Sequence, residues 1–135
     1  MHIAGEFVGR FKRERRSLPA MALSADTGII TAIANDYDFS CIFARQIEGL
    51  AREGDMLIAL STSGRSPNIL AALEAAKTQG VSTVLFTGAN GADKAMLVER
   101  CFVVKSENTA RIQECTMTAL HALAEAIETM LLPAA

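Results

Sequence analysis

The sequence predicts an α/β fold, a three-layer αβα sandwich around a parallel sheet, and three observations carry that prediction. Short apolar runs at residues 55–60, 81–87 and 101–104 lack the in–out alternation of half-exposed strands and read as strands buried on both faces. Helical patterns fall between and after them, the rhythm of βαβ units. The first run stops abruptly in Ser61-Thr62-Ser63-Gly64-Arg65-Ser66, which puts a hydroxyl-rich loop where open α/β sheets hold their ligands.

At 135 residues, 50% hydrophobic and 21% charged, the chain has the composition of an ordinary soluble globular protein, and no linker or repeat divides it, so 1–135 reads as one domain. A formal net charge of −2 supplies no general attraction to nucleic acid or to an anionic membrane. Any anion site must therefore be made locally, by loops and helix ends. No uninterrupted apolar stretch reaches the eighteen residues of a membrane span, and the first residues lack the basic-then-apolar order of a signal peptide, so the predicted address is cytoplasmic. Cys41, Cys101 and Cys115 share no close ligand spacing and read as buried small hydrophobes.

Residues 2–11 set Ile3, Phe7, Val8 and Phe11 at helical spacing and open without a cap, as if a helix were already under way. The basic run 12–16 reads as a solvated helix end favoured by the C-terminal dipole. A weak strand is predicted over 18–23, then capping residues at 24–27 and a helix over 28–34 that Asn35-Asp36 ends. Residues 39–51 carry the apolar stripe Phe39, Ile42, Phe43, Ile47 and Leu50 of a helix, stopped by Gly54. Beyond the serine loop, Ser66 is the predicted N-cap and Pro67 the first helical residue, with an alanine-rich helix over 69–77 and Gly80 as its C-cap. Residues 88–91 form a turn cluster and 95–97 a short helix. Finally 108–132 is one long helix, ended by Pro133, whose strip from Met117 through Leu120, Leu123 and Ile127 suits either the core or a subunit interface.

The serine loop is the first candidate for chemistry. Free N–H groups at a helix start, added to the hydroxyls of Ser61, Thr62, Ser63 and Ser66, hold a phosphate without any cationic side chain. A capped turn that binds nothing is the plain alternative, and the crowding of four hydroxyls at a strand end favours phosphate. His2 and Glu6 are i,i+4 neighbours on one helix face and can share a metal or a proton path, although such pairs also occur as ordinary solvated residues. Gln113 and His121 lie roughly 80° apart in azimuth but about 12 Å apart along an ideal helix. One metal takes both only if their side chains lean together, the helix is irregular, or two subunits each donate one.

Four stretches now combine: the serine loop, Ala34-Asn35-Asp36, Thr109-Ala110-Arg111-Ile112-Gln113-Glu114 with His121 beyond it, and the opening His2-Ile3-Ala4-Gly5-Glu6-Phe7-Val8-Gly9-Arg10. In that order they resemble a sugar isomerase (SIS) domain and, within that group, the bacterial phosphoheptose isomerases, over nearly the whole chain. The resemblance implies the SIS fold and an aldose–ketose isomerase that converts sedoheptulose 7-phosphate to D-glycero-D-manno-heptose 7-phosphate through an enediol, the entry to the heptoses of lipopolysaccharide. It implies phosphate contacts from Ser61, Thr62, Ser63 and Ser66, and substrate contacts from Asn35, Asp36, Glu6 and Gln113, with Arg10 as a further candidate. It also implies zinc held by His2, Glu6, Gln113 and His121, with Glu6 and His121 as the acid–base pair. A homotetramer with active sites at subunit boundaries is implied as well. Non-catalytic SIS relatives include a scaffold that binds the bacterial replication initiator and sugar-phosphate sensors of transcription. Retention of all four donor residues favours the enzyme.

Two departures accompany the resemblance. Thr116 stands where family members commonly have a histidine three residues after the glutamine. The N-terminal helix, first strand and Gly-Asn-Gly-Gly-Ser loop of the family, expected just upstream of His2, are not among these residues. The expectation is therefore a fragment, either because Met1 is an internal methionine of a longer frame or because the gene is truncated, with the two strands that flank the missing one unpaired and the chain alone unstable or inactive.

Overall fold

A computed structural model describes residues 1–132. Its α-helices are α1 (His2–Val8), α2 (Thr27–Asp36), α3 (Ala44–Leu50), α4 (Pro67–Thr78) and α5 (Thr109–Leu131), and its strands are β1 (Met56–Leu60), β2 (Ser82–Gly88) and β3 (Arg100–Val104). The strands form a parallel sheet in the order β1-β2-β3, with Leu60 opposite Phe86 and Phe86 opposite Phe102. The predicted α/β class and parallel pairing hold. α4 crosses from β1 to β2, a 3-10 segment (Ala89–Leu97) crosses from β2 to β3, and α5 runs back against β2 and β3.

The core is centred on α4. Its Leu73 closes on Ala59 and Leu85 of the sheet, while Ala72 and Ala76 meet Ile47 of α3 and Val81. Each large aliphatic side chain buried this way contributes roughly 1.5–3 kcal/mol. Alternate strand residues face opposite sides, so the row Leu60, Phe86, Phe102 belongs to the other face. There Leu60 is 48% and Phe102 41% exposed, so that face is covered unevenly rather than buried throughout. α5 packs mainly on β2 and β3, and the outer edge of β1 has no strand beside it among the described residues.

Several local predictions change. Residues 18–23 form no strand: Pro19 has no N–H to give, no strand lies alongside among the described residues, and the segment is held by Leu18 N–H donating to the Phe7 carbonyl and by Leu23 packing on the α3–α4 cluster. The predicted helix over 39–51 divides into a 3-10 turn (Phe39–Cys41), started by Asp38 accepting from Ser40 N–H, and α3. α2 starts from Asp26, which accepts from Ile29 N–H, and continues through Asn35 and Asp36 instead of stopping before them. The turn and short helix of 88–97 are the end of β2 and one 3-10 segment. Pro67 opens α4 and Gly80, at φ +69, follows its end, both as predicted. Asn108 caps α5 by accepting from Ala110 and Arg111 N–H groups, and the predicted stop at Pro133 lies outside the described residues. No described helix is long and apolar enough to cross a membrane.

Candidate active site

The serine loop leaves β1 with its backbone already committed. Ser61 N–H donates to the Phe86 carbonyl, Gly64 N–H to the Ser61 carbonyl and Gly88 N–H to the Thr62 carbonyl. Ser66 occupies the N-cap position of α4, but its hydroxyl does not cap the helix. It lies 3.1 Å from the buried Ser61 hydroxyl instead. Ser63 Oγ accepts from Arg65 N–H. The loop is pinned from behind by a close backbone approach: a Cβ on Gly64, whose φ is +65, would come 2.6 Å from Gly91 Cα, and one on Gly91 would meet Thr87 Oγ1 at 2.0 Å. Thr62 and Ser63 line a cavity of about 180 Å³ with Asn90, Ser106 and Thr109, whereas Ser66 lines a wider one of about 470 Å³ with Asp38, Phe39, Ser40 and Asn68. Ser40, through its hydroxyl and its N–H, holds the Asp38 carboxyl below the usual carboxylate range.

The two ends of the chain meet at a second cluster. α1 sets His2 and Glu6 one turn apart, with His2 Nε2 3.4 Å from Glu6 Oε1, and α5 brings His121 Nε2 to 2.9 Å from His2 Nε2. The His2 and His121 rings meet edge to face at 5.1 Å, and the Phe11 ring stacks on His121 at 5.4 Å with a 10° tilt. Donor atoms of His2, Glu6 and His121 all lie within 4.8 Å of one another. Two imidazole nitrogens and a carboxylate oxygen are zinc ligands by type, and a tetrahedral ion with bonds of roughly 2.0–2.2 Å separates neighbouring ligands by about 3.3 Å. The three residues fit such an ion.

Glu128 and Arg15 complete this end, and the sequence reading missed both. The basic run is solvated at Lys12, Arg13, Glu14 and Arg16, as predicted, but it lies beyond the end of α1 and Arg15 departs from it: the Arg15 and Glu128 side chains are 3% and 2% exposed and pair at 3.0 Å. Glu128 also accepts from the N–H groups of Phe11, Lys12 and Arg13, so those donors turn to α5 and α1 stops at Val8 rather than reaching Phe11. Burial pushes the Glu128 carboxyl up, but the N–H groups of Lys12, Phe11 and Arg13 and the Arg15 guanidinium outweigh it and hold it at about 2. No pattern in the sequence distinguishes such a buried pair from surface charges.

The other predicted residues are placed separately. Gln113 is exposed on α5, which is one unbroken α-helix, so its separation of about 12 Å along the axis from His121 stands within one chain. Asn35 donates to Asp36 at 3.0 Å on the exposed end of α2, just before Asp38 of the wider cavity. Arg10 Nε lies 3.6 Å from Glu14. Thr116 is buried. The cysteines are free, and against expectation Cys115 is exposed while Cys41 and Cys101 are only partly covered.

Residues 1–88 match the family model described as "SIS domain". The chain is 54% identical over 127 residues to the phosphoheptose isomerase of Roseiflexus sp. (strain RS-1), a match that covers 94% of this chain and 64% of that protein. To the phosphoheptose isomerase of Aquifex aeolicus (strain VF5) it is 50% identical over 129 residues, covering 96% of this chain and 68% of that protein. The chain thus spans about two thirds of the length of these relatives. The solved structure of a phosphoheptose isomerase from Neisseria gonorrhoeae superposes with a TM-score of 0.87 at 36% identity, covering 95% of this chain and 68% of that one. One from Francisella tularensis gives 0.87 at 38%, covering 95% and 69%.

Proposed function

The chain belongs to the phosphoheptose isomerases of the SIS domain family, and from that premise we propose that it converts sedoheptulose 7-phosphate to D-glycero-D-manno-heptose 7-phosphate. The observation that carries this reading is the convergence of His2, Glu6 and His121 from opposite ends of the sequence. A scaffold or sensor has no chemical need for a carboxylate and two imidazoles in contact, so the enzymatic reading is favoured over both.

In the proposed reaction one member of the Glu6–His121 pair takes a proton from C1 of the ketose and returns it to C2. The other protonates the C2 oxygen and relieves the C1 hydroxyl of its proton, so that the enediol collapses to the aldose with no net gain or loss of protons. Glu6 has two carboxylate oxygens, so one can face the ligand cluster while the other serves the substrate. Zinc held by His2, Glu6, His121 and, as a fourth donor, Gln113 would supply Lewis-acid stabilisation of the enediolate. Ser61, Thr62, Ser63 and Ser66 grip the phosphate and thereby fix the reacting carbons, with Asn35, Asp36 and Arg10 toward the sugar.

The distribution of these groups supports an assembly. Thr109, beside the serine loop, and His121 are separated by roughly 18 Å along α5, longer than an extended seven-carbon sugar phosphate. The exposed surface of 8295 Å² exceeds the roughly 6,800 Å² of a compact monomer of this mass. We place the site at subunit boundaries of a homotetramer, where one chain's serine loop and Gln113 can serve another chain's histidine cluster. The product would feed heptose for lipopolysaccharide in the cytoplasm. Incubation of the ketose with the protein in D₂O tests the reaction: aldose is expected, with deuterium at C2 to the extent that the base exchanges its proton with solvent at the enediol stage, and no conversion would contradict it.

A further inference from the structure

α1 carries two of the three clustered donors yet has no buried residue and no side-chain cap at its start. Ile3, Ala4 and Phe7 are only half-buried, so apolar packing holds His2 and Glu6 against α5 incompletely. Polar contacts just after α1 add to it. Arg15 donates to the main-chain carbonyls of Glu6 at 2.7 Å and Phe7 at 2.9 Å, satisfying the last acceptors of the helix. Glu128 holds Arg15 and, through the N–H groups of residues 11–13, sets the Phe11 ring flat against His121. Glu128 lies seven residues from His121, two turns along one face of α5, so both contacts hang from the same helix.

We infer that Glu128, Arg15 and Phe11 form a positioning device for the reacting pair: Arg15 holds Glu6 by its backbone, Phe11 fixes the plane of the His121 ring, and Glu128 anchors both. None of the three offers its own side chain as an acid, base or metal ligand. The Phe11 ring also closes one face of the imidazole to water, leaving His121 Nε2 directed at His2. Groups that orient metal-binding histidines in this way typically change metal affinity or activity tenfold to a hundredfold when altered.

This inference rests on the reading of Glu6 and His121 as the reacting pair, and the experiment separates the two. Zinc affinity of the metal-free chain is measured by competition with a chromophoric chelator, alongside steady-state kinetics of the zinc-loaded protein, for wild type, Phe11→Leu, Phe11→Tyr and Glu6→Gln. Phe11→Leu keeps the apolar bulk but loses the flat face. It is expected to lose about tenfold in zinc affinity and about tenfold in kcat with KM for the sugar phosphate within about twofold, whereas Phe11→Tyr retains both. Zinc affinity and kcat unchanged in Phe11→Leu, or a rise in KM with kcat intact, would overturn the positioning role. A Glu6→Gln protein that keeps full turnover would instead remove the acid–base reading. The zinc measurement decides the positioning role whether or not turnover is seen.

Discussion

His2 and His121, 119 positions apart in the sequence, bring their Nε2 atoms to 2.9 Å of each other, with Glu6 3.4 Å from the first. At that separation one nitrogen must donate and the other accept, unless a cation takes the place of the shared proton. Three consequences of this closure, and of the loop at the other end of α5, are open to measurement.

Metal removal comes first. Stripping the protein with a strong chelator is expected to abolish turnover, and added zinc to restore it. His2→Ala should weaken zinc binding by more than the tenfold to roughly hundredfold typical of groups that only orient a ligand. Titration against a competing chelator reads the affinity directly.

The serine loop gives a different signature. Gly64→Ala places a Cβ against Gly91 Cα at a backbone angle that side chains avoid. Overpacking of this kind costs about 1–3 kcal/mol, so the unfolding midpoint should fall. In the proposed reading the loop grips phosphate rather than reacting carbons, so KM should rise several-fold while kcat at saturation changes little.

Acid unfolding reports on Glu128. Its carboxyl is held at about 2 against an ordinary 4.5, so the ionised form contributes stability that is fully present above about pH 4.5 and lost as pH falls through about 2. The groups that face it are Arg15 and the N–H groups of residues 11–13, with the Lys12–Glu125 pair alongside. Glu128→Gln is expected to be less stable than wild type at pH 7, with the gap narrowing between about pH 4.5 and 2. Denaturant unfolding at stepped pH measures the gap.

The parts of this structure legible in the sequence are those written locally. The strand runs, Pro67 at the start of α4, the serine loop and the His2–Glu6 spacing each depend on residues a few positions apart. What escaped depends on partners far away. Leu18-Pro19-Ala20-Met21-Ala22-Leu23 has the composition of a strand, but a strand needs a neighbour to pair with, and none flanks it among the described residues. Arg15 sits in a run of charges and Glu128 in a helical acid–alanine pattern, each ordinary for solvent. Only the return of α5 past α1 turns them into a buried pair. His121 gained its role from family resemblance, since an isolated helical histidine specifies nothing alone.

Glu6 is proposed to move protons in a sugar-phosphate isomerisation, and turnover of sedoheptulose 7-phosphate by zinc-loaded Glu6→Gln tests that role. Loss of at least about a hundredfold in kcat, with binding of the phosphorylated ketose retained, is the predicted result. Turnover at the wild-type rate would contradict it.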